Sequence, residues 1–215
     1  MDSSAWDERY AGTDLVWSAT PNQWVEQVAD GLAPGRVLDL AGGEGRNALW
    51  LADRGWQATV VDFSRAALDR ARALAVQRLG AGDQRLLTVH ADLLTYRPEP
   101  EAYDLVLVVY LHLVPEARRA VLRRAATAVA AGGRLVVVAH DSTNLTAGVG
   151  GPQDPHVLYT SRTVEADLAG SGLAIERAET VLRAVETENG PRDAVDALVV
   201  AARTDAGTSN RKAPS

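Results

Sequence analysis

Cysteine is absent from the 215 residues. That excludes a disulfide framework, a cysteine-ligated zinc or iron–sulfur cluster and a thiol nucleophile. Lysine is almost missing too: Lys212, in a Gly/Ser/Pro-containing stretch, is the single one, so Schiff-base or lysine general-base chemistry is excluded. Long apolar runs are lacking as well. The longest, Leu105–Tyr110 and Leu135–Ala139, fall far short of the roughly 18 to 20 residues of a membrane helix. Positive charge is in deficit, with 22 Lys and Arg against 28 Asp and Glu and a net charge of −6, so neither a nucleic-acid backbone nor an anionic membrane surface is the expected partner. The opening MDSSAWDERY has no basic-then-apolar signal-peptide layout, and the expected location is cytoplasmic. What remains, 47% hydrophobic and 23% charged residues, is globular composition, expected to form one domain over 1–203 with a disordered tail at 204–215.

Short β-branched runs alternate with longer Ala/Leu/Arg segments of helical period. Strands are expected at Arg36–Leu40, Thr59–Asp62, Leu86–His90, Leu105–Tyr110 and Arg134–His140, apolar enough to be covered on both faces. Helices are expected from Gly45 to Arg54, from a Ser64 cap to about Leu79, and from Pro115 along the stripe Val121, Leu122, Ala125 and Val129. After His140 the period is lost across the Gly- and Pro-bearing segment Asp141–Thr160, a length that marks a functional or disordered loop. A helix over Thr160–Ala169 and two strands, Ala174–Glu186 and Ala194–Arg203, joined by Asn189-Gly190-Pro191, complete the pattern. The expectation is a doubly wound, Rossmann-like α/β fold: a mostly parallel seven-stranded sheet with an antiparallel C-terminal hairpin strand and helices on both faces.

Ligands of such sheets bind beyond the carboxyl ends of the strands. After the first strand comes Asp39-Leu40-Ala41-Gly42-Gly43-Glu44-Gly45-Arg46-Asn47, where glycines let the backbone approach a ligand and the next helix offers free N–H groups. Asp62, ending the second strand, stands close to the ~20-residue spacing of a carboxylate that accepts ribose hydroxyls, with an Asx-type cap ahead of Ser64 as the competing reading. Asp92, after His90-Ala91, is placed to accept an adenine amine or to be a solvated loop carboxylate. A dinucleotide turn would carry a third glycine where Asn47-Ala48 stands; the spacing Asp39-x-Ala41-x-Gly43-x-Gly45 suits a nucleoside with an amino-acid end instead.

The strings VLDLAGGEGRNALWLA, VVDFS, ADL and YDLVLVVYLHL resemble, in order and spacing, the first four motifs of class I S-adenosylmethionine-dependent methyltransferases over about residues 36 to 140. WDERYAG, GEGRNA and the GPQDP loop resemble more narrowly the tellurite-resistance and thiopurine-type branch. The resemblance implies S-adenosyl-L-methionine as cofactor, with Gly43 and Gly45 beside its methionine moiety, Asp62 on the ribose, Phe63 and Leu93 against adenine and Asp92 on its amine. Asp39, Ala41, Arg46, Asn47, Ala91 and Trp17 complete the expected cofactor set. Ala41 departs from the family pattern, which has glycine there, and is expected to tolerate its Cβ.

Methyl transfer is an in-line displacement on a sulfonium, so positioning dominates, and a base is needed only for a hydroxyl or a neutral acid. The expected catalytic residues are His112, Tyr110 and His140, with His112 foremost. His140, Asp141 and His156 match no familiar metal motif, and no metal is expected. An aromatic lid, within an N-terminal segment and helix over 1–33, is expected from Trp6, Tyr10 and Trp17, whereas Trp24, Trp50 and Trp56 are read as packing. The run Arg118, Arg119, Arg123, Arg124 is expected to be a solvated helix face. The functional expectation is methyl transfer to a small-molecule thiol, chalcogen oxyanion or hydroxyl. A nucleotide-dependent oxidoreductase and a catalytically silent cofactor-binding module are the alternatives, and oligomeric state is not legible.

Overall fold

The computed structural model describes residues 20–188 and 190–204. Seven strands, β1 (Arg36–Leu40), β2 (Gln57–Asp62), β3 (Leu86–His90), β4 (Tyr103–Val109), β5 (Val129–His140), β6 (Ala174–Thr187) and β7 (Gly190–Ala202), form one sheet in the order β3-β2-β1-β4-β5-β7-β6. The first five are parallel, and β7 runs antiparallel to both β5 and β6. Order reverses between β1 and β4, so the crevice beyond their carboxyl ends is where a ligand belongs. The expected fold class is the observed one.

Helices cover both faces because neighbouring strand residues point to opposite sides. On one face Leu38, Val106, Val108, Leu135 and Val137 pack against Val121, Leu122 and Ala125 of a helix over Pro115–Ala128 and Val164 and Leu168 of one over Ser161–Leu168. On the other, Val37, Leu105, Leu107, Val136 and Leu198 meet Val25, Leu51 and Leu68. Those three come from helices over Gln23–Ala29, Arg46–Asp53 and Arg65–Leu79. In chain order the helices are α1 (Gln23–Ala29), α2 (Arg46–Asp53), α3 (Arg65–Leu79), α4 (Pro115–Ala128), α5 (Asn144–Ala147) and α6 (Ser161–Leu168).

Several boundaries differ from expectation, β2 among them in starting at Gln57, and the larger differences have local reasons. β4 starts at Tyr103 and stops at Val109, because Tyr110 turns out of the strand at φ 57°. β5 begins at Val129, straight from α4; its Gly133 backbone lies so close to the Tyr103 and Asp104 carbonyls that a Cβ would stand 3.0 Å from each. The hairpin pairs from Thr187 with Gly190 onward, so Gly190 and Pro191 are rungs of β7 rather than turn residues. The segment after β5 carries short α5 and a 3₁₀ turn at Pro155–Val157. Among the described residues no helix is long and apolar enough to cross a membrane.

Candidate active site

β1 and β2 pair in register, Leu40 beside Val61, which brings the glycine turn to the tip of β2. Ala41, Gly43 and Gly45 adopt positive φ of 58°, 56° and 76°. Gly42 is required sterically: a Cβ there would lie 2.8 Å from Val60 and 2.9 Å from the carboxyl carbon of Asp39. The turn is fastened by Asp62, whose Oδ2 accepts the Gly43 N–H at 2.9 Å and whose Oδ1 accepts the Ser64 N–H at 2.8 Å. The Asx cap weighed as an alternative for Asp62 is therefore present. Beneath the turn Asp39 is 1% exposed, and neither of its oxygens has a hydrogen-bond partner. Burial raises its pKa to about 7, against the pull of Arg46 and the Ala48 amide.

β3 brings the third tip alongside, since Asp62 pairs with His90. The Ala91 N–H donates to the Asp62 carbonyl at 3.0 Å, Leu93 is buried, and exposed Asp92 accepts the Leu94 N–H at 2.8 Å. Phe63 is half-buried, its carbonyl 2.9 Å from His90 Nε2. At the head of α2 buried Asn47 accepts the Asn22 N–H at 2.9 Å, and the Arg46 guanidinium stands 5.8 Å from the Tyr110 ring centre. Trp17, with Trp6 and Tyr10, lies outside the described residues, as do Asn189 and residues 205–215.

Across the crevice, Tyr110, His112 and His140 form a stack, with ring centres 4.9 Å apart for Tyr110–His140 and 5.5 Å for His112–His140. The Tyr110 hydroxyl donates to Asp196 Oδ2 at 2.8 Å and accepts from Asn22 Nδ2 at 3.2 Å. Burial, followed by the Asp196 carboxylate, pushes its phenol well above the ordinary tyrosine range, so it remains protonated. Burial, followed by His140, takes the His112 imidazole down to about 4. Its Nε2 accepts the His140 backbone N–H at 3.3 Å. His140 is lowered too, chiefly by burial, while Asp196 pulls it upward. Among the described residues no three His, Asp or Glu could together hold a metal.

A family model described as a methyltransferase domain matches residues 37–133. The demethylmenaquinone methyltransferase of Clavibacter sepedonicus is 33% identical over 140 residues, which is 63% of this chain and 53% of that protein. The match thus spans about half the length of that curated relative. Two solved structures share the fold. The Burkholderia thailandensis 1,6-didemethyltoxoflavin-N1-methyltransferase, solved with 1,6-didemethyltoxoflavin and S-adenosylhomocysteine, has a TM-score of 0.69 at 19% identity, covering 94% of this chain and 87% of that one. TehB from Haemophilus influenzae has a TM-score of 0.68 at 18% identity, covering 94% and 67%. Residues 37–133 are thus similar to a methyltransferase domain, and the two solved structures have the same fold as this chain.

The structure brings most of the expected cofactor residues to three adjacent strand tips, and Tyr110, His112 and His140 to one stack beside them. Sequence reasoning missed what lies behind that stack. Asp196 on β7 is fully buried; its Oδ2 also accepts from Arg183 Nε at 2.9 Å, and Oδ1 has no partner. Its signal was a lone carboxylate inside the apolar run Ala194–Ala202, where an unpaired charge is prohibitive. The solvated-face expectation holds for exposed Arg119 and Arg123 and is corrected for Arg118 and Arg124. Arg118 is buried, and it and Arg119 both donate to Asp167 of α6, at 2.8 and 2.9 Å, while Arg124 donates to the Leu93 carbonyl. These arginines clamp α4 to its neighbours. Ala41 keeps its Cβ in a left-handed conformation that costs an L-residue about 1 to 2 kcal/mol, so its tolerance is bought with strain.

Proposed function

We propose that this chain transfers a methyl group from S-adenosylmethionine to a small-molecule acceptor, a thiol, chalcogen oxyanion or hydroxyl, lying against the Tyr110–His112–His140 wall. Asp39 carries the reading: a buried carboxyl with two partnerless oxygens, beneath a backbone cradle that a Gly42 side chain would fill, calls for a cationic end group. The ammonium of a methionine moiety fits that need. Asp62 and Asp92, at neighbouring strand tips, suit the ribose and the adenine amine, with Phe63, Ala91 and Leu93 as apolar contacts.

Bound there, the cofactor supplies a methyl group made electrophilic by its sulfonium. The protein's own work is orientation. The turn fastened by Asp62 fixes the donor, Arg46 and Asn47 frame the passage to the wall, and the stacked rings hold the acceptor in line and exclude water. His112, occupied by the His140 amide and weakly basic, is a packing partner in this arrangement, and His140 is the better-placed base.

Calorimetry with S-adenosylhomocysteine tests the reading. Binding is expected to release protons near pH 7, because a cation beside Asp39 ionises a carboxyl poised there, and Asp39→Asn should abolish the release. At 100 times its Kd the ligand should add about 2.7 kcal/mol of stability. A dinucleotide that binds while S-adenosylhomocysteine does not would point to the oxidoreductase instead; tight binding with no methyl product from any acceptor would point to the silent module.

A further inference from the structure

Two of the three wall rings are already committed: the Tyr110 hydroxyl donates to Asp196, and His112 Nε2 accepts the His140 amide. His140 is different. Its Nδ1 is buried and without a hydrogen-bond partner, and 3.5 Å away lies Asp196 Oδ1, also buried and without one. Two orphaned groups at that separation lack only a shared proton and a slight approach to become a hydrogen bond, and leaving both unmade is costly. The arrangement is set by the sheet, for β5 pairs His140 directly with Asp196 and β6 pairs Val181 with the same residue. The second Asp196 oxygen is held by Tyr110 and by Arg183 Nε. The carboxylate therefore has one oxygen left for the ring.

The opposite edge of that ring meets backbone and no side chain of Gly151. His140 retains 12% side-chain exposure although its Nδ1 is buried. Gly151 of the loop after β5 lies against the Cδ2–Nε2 edge, at φ 75°, and a Cβ there would stand 2.6 Å from Cδ2 and 2.9 Å from Nε2. Glycine leaves that edge free of a side chain.

We propose that Asp196 is the positioning residue of the reaction, holding a proton on His140 Nδ1 so that the Nε2 lone pair takes the proton of a hydroxyl acceptor. This deepens the methyltransferase reading and rests on it. It also narrows the substrate class to an acceptor that arrives with its proton, a phenol or enol, rather than a chalcogen oxyanion. As the acceptor oxygen forms its bond to the methyl carbon, the methyl–sulfur bond breaks with its electron pair left on sulfur. The acceptor proton passes to Nε2, and the imidazolium, held by Asp196, returns it to water. Burial keeps His140 neutral and able to accept, while Asp196 favours the imidazolium once formed. Among the described residues, the charged and titratable groups around the ring are Asp196 from β7, Arg183 from β6, and Tyr110 and His112 beyond β4, with Arg46 of α2 over the Tyr110 ring.

Nitrogen-15 NMR of the full chain with S-adenosylhomocysteine, the His140 signals assigned through His140→Gln, is the deciding experiment. The expected result is a neutral ring protonated on Nδ1; a ring protonated on Nε2 overturns the proposal, and neither needs Asp196→Asn to fold. In Asp196→Asn the His140 titration should move to lower pH, and an unmoved titration overturns the proposal. In transfer assays over a panel of phenols, thiols and selenite, both variants should lose phenol turnover by about 10²-fold or more. The double variant should be no slower than His140→Gln. Additive losses, or no phenol product from the native chain, count against the proposal. Failure of S-adenosylhomocysteine to bind the native chain would instead remove the methyltransferase reading, which keeps the two failures apart.

Discussion

The two sides of the crevice solve opposite electrostatic problems. On the β1–β2 side a carboxyl, Asp39, is buried without a partner and its pKa rises to about 7. On the β4–β5 side two half-buried imidazoles stack against phenols and their pKa values fall, His112 to about 4. Burial works against the charged form in both places, yet the outcomes differ in kind. One side is an acid waiting for a cation; the other is a set of neutral bases waiting for a proton. The proposed sulfonium donor and protonated acceptor are what such a pair of walls would separate.

The contrast makes stability the first thing to measure. A carboxyl whose folded pKa lies above its ordinary 3.8 favours the folded state as pH falls, so Asp39 should add about 3 kcal/mol between pH 7 and 4. Asp39→Asn should remove that contribution in guanidinium titrations and leave the variant losing stability in acid, and a variant whose stability responds to acid as the native chain's does would erase the distinction between the two sides. An imidazole whose folded pKa lies below 6.5 behaves oppositely: its protonation favours the unfolded chain, so His112 should lose about 3 kcal/mol of stability between pH 6.5 and 4. His112→Gln, still able to accept the His140 amide, should abolish that loss. In the native chain the two slopes nearly cancel, and each variant should expose the other's slope. The smallest effect is backbone strain on the β1 side alone: Ala41→Gly should add about 1 kcal/mol of stability in the same titrations, without altering how stability responds to acid.

The two sides also differ in how far the sequence revealed them. The β1–β2 side was legible because its parts are contiguous: a turn that needs glycine must contain glycine, and Asp62 follows at a spacing set by one helix and one strand. The sheet itself was legible from its apolar runs, and β1 and β3 match their expected bounds. The wall was legible only in outline. Tyr110 and His112 stand where a strand end places them, but the partner that engages Tyr110 and faces His140 is Asp196, 86 positions from Tyr110, brought there by an antiparallel register no local pattern encodes. Arg118 was misread for a similar reason, since its burial depends on Asp167, 49 residues away on α6. Tyr110 at φ 57° was hidden by the apolar run that seemed to continue through it.

The β6–β7 hairpin reaches further than the sheet that supports it. β5 ends opposite Asp196, while β6 and β7 stay paired with each other out to Thr187 and Gly190. The free arm so formed carries the loop that lies over the His140 ring. Asn144 of α5 accepts the Val195 N–H at 2.7 Å and donates to the Gly150 carbonyl at 2.9 Å, suspending the segment that bears Gly151 from the hairpin. Lengthening, shortening or twisting this cantilever would re-aim the roof while leaving β1, β2 and their turn untouched. Under the proposed function, acceptor choice can therefore diverge among descendants of this fold through changes in an overhang, with the donor's berth inherited intact.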